Sequence, residues 1–180
     1  MTFNNYLSKM RGGGESPPRV RPKEIAWSAL GSFTGIGGCC YLSATYFEPR
    51  DLTLIIASFG ASAVLIYGAV KSPLAQPRNL VGGHLISAII GVACYHSFGG
   101  LWFSASLAVS CAIAAMLLTG TLHPPGGATA LLAVTGSAQI HKLGFLYVLV
   151  PVGLGVFVML AVALAINNLS RSRRYPEYWL

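Results

Sequence analysis

Residues 25–47 run for about 23 positions without a charge, which at about 1.5 Å per helical residue reaches roughly 34 Å and crosses a hydrocarbon core about 30 Å thick. Five further apolar stretches follow, at 52–70, 80–95, 101–118, 128–137 and 143–169. Only 9% of the 180 residues are charged, against about 25% in ordinary soluble domains. The chain therefore reads as one membrane domain.

Its ends differ from its middle. Residues 1–24 hold Gly12-Gly13-Gly14, Pro17-Pro18 and the basic Lys9, Arg11, Arg19, Arg21 and Lys23, a composition that buries little and reads as a flexible cytoplasmic tail. Residues 170–180 combine Arg171, Arg173 and Arg174 with Tyr175, Tyr178 and Trp179, and read as a second cytoplasmic tail whose aromatics lie flat at the membrane surface. The transmembrane domain occupies 25–169. The net charge of +7 gathers at the two ends and forms no continuous stripe, which argues for lipid anchoring and against a nucleic-acid partner. More than about twenty residues precede the first apolar run, and neither end carries a myristoylation or prenylation pattern. The apolar runs alone are thus expected to hold the protein in the bilayer, without a cleaved leader.

If all six runs cross, the cytoplasmic side receives the basic tail, the Lys71/Arg78 loop and the final arginines, while the opposite side receives only Arg50 and Lys142. The expected fold is an all-α membrane protein of six hydrophobic segments, with both termini cytoplasmic, in the inner or plasma membrane. The alternative has four spanning helices plus two re-entrant segments. An internal echo favours two halves: Gly60-Ala61-Ser62-Ala63-Val64-Leu65 answers Gly127-Ala128-Thr129-Ala130-Leu131-Leu132, each copy in the middle run of a set of three. Two three-helix inverted repeats with broken or short second and fifth helices follow from that placement. Gly31 and Gly35 fit the small-residue pattern of close helix contact.

The breaks carry the functional argument. Two prolines followed by two glycines at membrane depth leave polar backbone groups that need protein, water or a ligand as partner. A helix restarting at Gly127 would present N–H groups and partial positive charge to an anion, and a restart at Gly60 would do so from the opposite side. Ser58, Ser62, Thr121 and Thr129 offer hydroxyls. Helix ends supply only about 0.3–1 kcal/mol, about 2 when partly buried, whereas drying a bare small ion costs on the order of 20 kcal/mol. The path must therefore be wet, recruit a cation, or move the anion with a proton. Arg78 is the candidate cation; His84 and His123 are the groups in the apolar part whose ordinary pKa lies nearest neutrality, and are the candidates to carry a proton.

His123-Pro124-Pro125-Gly126-Gly127-Ala128-Thr129-Ala130, together with Ser58-Phe59-Gly60-Ala61-Ser62-Ala63 and the stretch from Ser72 through Pro77-Arg78-Asn79 to Gly82-Gly83-His84, resembles the HPP family of integral membrane proteins over about residues 23–168. The resemblance implies membrane helices, usually described as four, and a transporter-like role, with nitrite transport associated with plastid and cyanobacterial relatives. The expected activity is passage of a small inorganic anion, nitrite among them, with Ser58, Gly60, Ser62, Arg78, Asn79, His84, His123, Pro124, Pro125, Gly126, Gly127 and Thr129 as the substrate-lining set. A non-transporting assembly or sensor subunit is the alternative. No acidic residue lies within an apolar run, so acid/base pairs and carboxylate metal ligands are missing and an enzyme is not expected. The four cysteines sit in apolar runs without metal-ligand spacing, and no metal, cofactor or disulfide is expected. The apolar surface suits a homo-oligomer.

Overall fold

The computed structural model describes residues 3–10, 14–16, 18–50 and 53–180. Arg11, Gly12, Gly13 and Pro17 of the expected tail, and the boundary at Asp51 and Leu52, lie outside the described residues. Regular structure among the described residues is helical, with no strand.

After a short helix α1 (Phe3–Lys9), the first apolar run forms α2 (Pro22–Leu42), extended by a wider π-type turn over Ser43–Phe47. Arg21 is extended, Pro22 occupies the first turn where its missing N–H is no loss, and Glu24 puts negative charge at the positive helix end. The helix thus begins at Pro22, ahead of the expected Ile25. The second run enters through irregular residues 53–56 and becomes α3 (Ala57–Ala63), continued by Val64–Gly68. A 3₁₀ turn at Pro73–Ala75 leads into α4 (Pro77–Phe98), followed by α5 (Trp102–Leu118). The fifth run is α6 (Pro124–Thr135), entered through residues 121–123 with His123 extended (φ −136°, ψ 103°). A short α7 (Ala138–Leu143) precedes the final helix, α8 (Leu154–Leu169).

Pro22–Phe47, Pro77–Phe98 and Val148–Leu169 are long and apolar enough to cross a membrane; Ala57–Gly68 and Trp102–Leu118 are shorter apolar helices. The sixth run was expected to be continuous over 143–169 and is instead divided. Gly144 turns the chain at φ +50°, and Val150 is extended (φ −138°, ψ 119°) because the residue before a proline is driven out of the helical region.

Helix α4 lies at the centre, against α5 and α6, while α2 packs on α8 and α3 contacts α6, α2 and α8. Glycines set the closest approaches. A methyl on Gly91 would stand 2.6 Å from the Ala130 carbonyl oxygen, so α4 and α6 meet backbone to backbone. Gly31 and Gly35 leave room for the Tyr67 ring, whose hydroxyl donates to the Met159 carbonyl (3.0 Å).

The basic end of the bundle is closed by Arg173, whose side chain is only 5% exposed. Its Nε donates to Glu24 Oε2 (2.7 Å), Nη1 to the Tyr67 carbonyl and Asn167 Oδ1 (3.1 Å each), and Nη2 to the Glu24 carbonyl and Ser28 Oγ (2.7 and 2.8 Å). The five N–H donors of one guanidinium thus tie α2, the end of α3 and α8 together. Beyond it the chain folds back. Tyr175 is buried and donates to the Ala75 carbonyl (2.9 Å), and Tyr178 donates to the Pro73 carbonyl (3.2 Å). The expectation of an aromatic tail lying flat at the lipid surface is corrected for Tyr175, because its phenol serves a carbonyl of the 3₁₀ turn. Burial pushes the pKa of that phenol up.

Candidate functional site

Five of the expected site residues meet where α3, α4 and α6 converge. Ser58 and Ser62 come from α3, one helical turn apart, His84 from α4, Thr129 from α6 and His123 from the extended residue before α6. All five are buried, with exposures of 0–2%. Ser62 Oγ lies 2.7 Å from His84 Nε2 and 2.9 Å from His123 Nε2. His84 Nδ1 lies 2.7 Å from Thr129 Oγ1, which is 2.9 Å from Ser58 Oγ. His123 Nδ1 lies 2.7 Å from the Leu74 carbonyl oxygen. The two imidazole centroids are 5.0 Å apart, and Phe59 sets its edge against His84 at 5.8 Å.

The partners assign the protons. A carbonyl only accepts, so His123 donates from Nδ1 to Leu74, and in the neutral ring Nε2 is an acceptor. Ser62 gives its proton to that Nε2, and its oxygen then accepts from His84 Nε2–H. His84 Nδ1 is left as the acceptor for the Thr129 hydroxyl. Each hydroxyl also has a second acceptor: the Ser58 carbonyl for Ser62 (3.2 Å), and Ser58 Oγ or the Pro125 carbonyl (3.3 Å) for Thr129. A proton added to His123 is accommodated by turning Ser62 toward Ser58, and one added to His84 by turning Thr129. Either imidazole can be charged without leaving a donor facing a donor.

The local sequence explains the assembly. Gly82 and Gly83 let residues 121–123 lie against α4, since a methyl on Gly83 would stand 2.5 Å from the His123 Cβ. Gly126 fits against Ser87 Oγ and the Gly83 carbonyl, where a Cβ would be 2.7 and 2.8 Å away. Tyr147 is buried and donates to the Thr129 carbonyl (3.1 Å).

Other expected residues stand elsewhere. Gly60 is exposed with nothing within 4 Å of an added Cβ, and Gly127 would meet only Val109 at 3.9 Å. The reason is helical phase: each is two residues, about 200°, from the inward positions Ser58 and Ser62 or Pro125 and Thr129. Helix α6 also starts at Pro124, ahead of the expected restart at Gly127. Pro124 and Pro125 have no N–H and Gly126 donates to the His123 carbonyl (2.8 Å), so the first turn offers an anion little. Arg78 is exposed and donates to the Thr119 carbonyl (2.7 Å), placing positive charge at the negative end of α5. Asn79 Nδ2 donates to the Leu122 carbonyl (2.9 Å), and Thr121 pairs with Thr119 (2.8 Å). Arg78, Asn79 and Thr121 therefore secure residues 119–122 and do not line the His network. Leu74 and Tyr147 escape sequence reading because one contributes a backbone atom and the other stands in the segment between Gly144 and Val150, which a continuous sixth helix would have aimed elsewhere.

Two imidazoles lack a third donor for a metal, and among the described residues no group of three or more His, Cys, Asp or Glu gathers. Among those residues, no buried side-chain nitrogen or oxygen is without a partner.

Residues 17–176 match the family described as HPP, transmembrane region. The chain is 46% identical over 181 residues to one transmembrane protein of Dictyostelium discoideum, covering 98% of this chain and 58% of that protein. It is 43% identical over 185 residues to a second from the same organism, covering 99% of this chain and 65% of the relative. The chain thus spans about three fifths of the length of these curated relatives. No solved structure matches it.

Proposed function

Because this chain belongs to the HPP family of transmembrane proteins, we propose that it is a transporter, not an enzyme, that carries a small inorganic anion across the bilayer together with a proton held on the His84–Ser62–His123 network. The observation that supports this reading is the pair of imidazoles whose bridging hydroxyls each have an alternative acceptor. The site is buried, and a bare ion there costs on the order of 20 kcal/mol. An imidazolium formed there offsets part of that penalty for the anion through their mutual attraction, which favours moving the anion with a proton. Nitrite, small and singly charged, is the first candidate. The packed arrangement is then the closed state, and the route runs along the inward face of α3 and α6.

In this reading α2, α3 and α4 form one half and α5, α6 and α8 an inverted second half. Its support is the Gly60/Gly127 sequence echo, the extended entries to α3 and α6, and the crossed pairing of Ser58 with Thr129 and Ser62 with His123. Both termini lie on the cytoplasmic side of the plasma membrane, and copies associate through exposed apolar faces as a homo-oligomer.

The test is uptake into proteoliposomes over a panel of small anions, with and without a pH gradient, for the wild type and His123→Gln. Uptake stimulated by an inward proton gradient and lost in the variant supports the reading. Equal uptake in protein-free vesicles overturns it. The second reading, a non-transporting assembly or sensor subunit, draws on the complete internal pairing of the network, and absence of flux for every anion favours it.

A further inference from the structure

A cavity of about 370 Å³ opens at the basic end of the bundle, between the start of α2, the end of the Ala57–Gly68 helix and the chain after α8. Its polar lining is Glu24, Lys71, Ser72, Ser172, Arg173 and Arg174. Arg173 has no capacity left: its five donors go to Glu24, Ser28, Tyr67 and Asn167, and Glu24 neutralises its charge. Lys71 and Arg174 are different. Both are exposed, and among the described residues neither makes a hydrogen bond or ion pair. The Ser72 oxygen accepts from the Leu74 N–H (3.2 Å), so its proton is free to donate.

We propose that this cavity binds a phosphate monoester, with Lys71 and Arg174 meeting its two negative charges and Ser72 donating to a phosphate oxygen. The charge count selects a dianion, since two cations line the cavity without an ion-pair partner among the described residues. The volume selects a phosphate with an organic body, because about 300–1,000 Å³ is the size of small-molecule pockets. The apolar wall of Val20, Ala69 and Val70 suits that body. In the topology proposed above this end is cytoplasmic, where basic pockets between membrane helices take anionic headgroups. The same chemistry is offered by a phosphatidic acid headgroup and by a soluble phosphate monoester. The site is remote from the His network and its occupancy does not depend on anion transport.

The experiment uses the full chain in a neutral detergent. Dioctanoyl phosphatidic acid, glycerol 3-phosphate and dioctanoyl phosphatidylcholine are titrated separately, with binding read by native mass spectrometry and by the melting temperature. Saturable binding of phosphatidic acid alone assigns the site to a lipid headgroup, and binding of glycerol 3-phosphate as well assigns it to phosphate monoesters in general. In either case the Lys71→Gln/Arg174→Gln double variant weakens binding by about tenfold or more, because charge-assisted hydrogen bonds are lost. Both residues are exposed, so the variant keeps the wild-type melting temperature without ligand. No binding of either phosphate, equal binding of phosphatidylcholine, or wild-type affinity in the double variant overturns the proposal.

Discussion

Replacing Ser62 by alanine probes the network at its narrowest point. Among the described residues the Ser62 hydroxyl is the one partner of both His84 Nε2 and His123 Nε2. Its removal strands two buried ring nitrogens, at about 1–3 kcal/mol each, for a loss of about 2–6 kcal/mol. Hydrogen bonds between membrane helices average nearer 0.6 kcal/mol, which sets a floor of about 1 kcal/mol for the two. Ser106→Ala is the control, since the exposed Ser106 donates only to the Trp102 carbonyl of its own helix (3.0 Å) and its loss stays within about 0.5 kcal/mol. Melting in detergent compares the two variants directly. A Ser62→Ala protein that melts with Ser106→Ala refutes the hydrogen-bond assignment.

Gly91→Ala destabilises by about 1–3 kcal/mol through collision with the Ala130 carbonyl, while Gly127→Ala, with nothing nearer than 3.9 Å, stays within about 0.5 kcal/mol, both read by thermal melting. Arg173→Met leaves the buried Asn167 Oδ1 and the Tyr67 carbonyl without that donor, while Glu24 keeps Ser172 (2.7 Å), and costs about 1–3 kcal/mol, whereas Arg174→Gln does not change melting. For Tyr175 the folded pKa is raised, so its contribution to stability is complete below the unfolded value of about 10 and is lost as pH climbs beyond it. Tyr175→Phe melts lower than wild type at pH 8 and shows a shallower decline between pH 10 and 11.

What the sequence made legible was chemical exception: hydroxyls and imidazoles in apolar runs, and a Pro-Pro-Gly-Gly break that no spanning helix carries without a reason. Those exceptions brought Ser58, Ser62, His84, His123 and Thr129 forward, and they meet. Helical phase was not legible, because an apolar run does not say which face turns inward, and Gly127 lies about 200° from Thr129 on the face that turns away from the network. Arg78 had no readable partner, since the Thr119 carbonyl comes from the far end of another helix. Arg173 looked like one of three anchoring arginines and became the tie at the basic end because Asn167 and Glu24 converge on it. The break before α8 was missed, because Pro151 sits in a run whose uniform apolarity reads as one continuous segment.

The central claim is that anion and proton move together. Vesicles containing the protein and an internal pH dye, given an inward nitrite gradient at equal pH, acidify faster than protein-free vesicles, and His84→Gln and His123→Gln return the rate to that background. Nitrite accumulation above background without acidification above background contradicts the account.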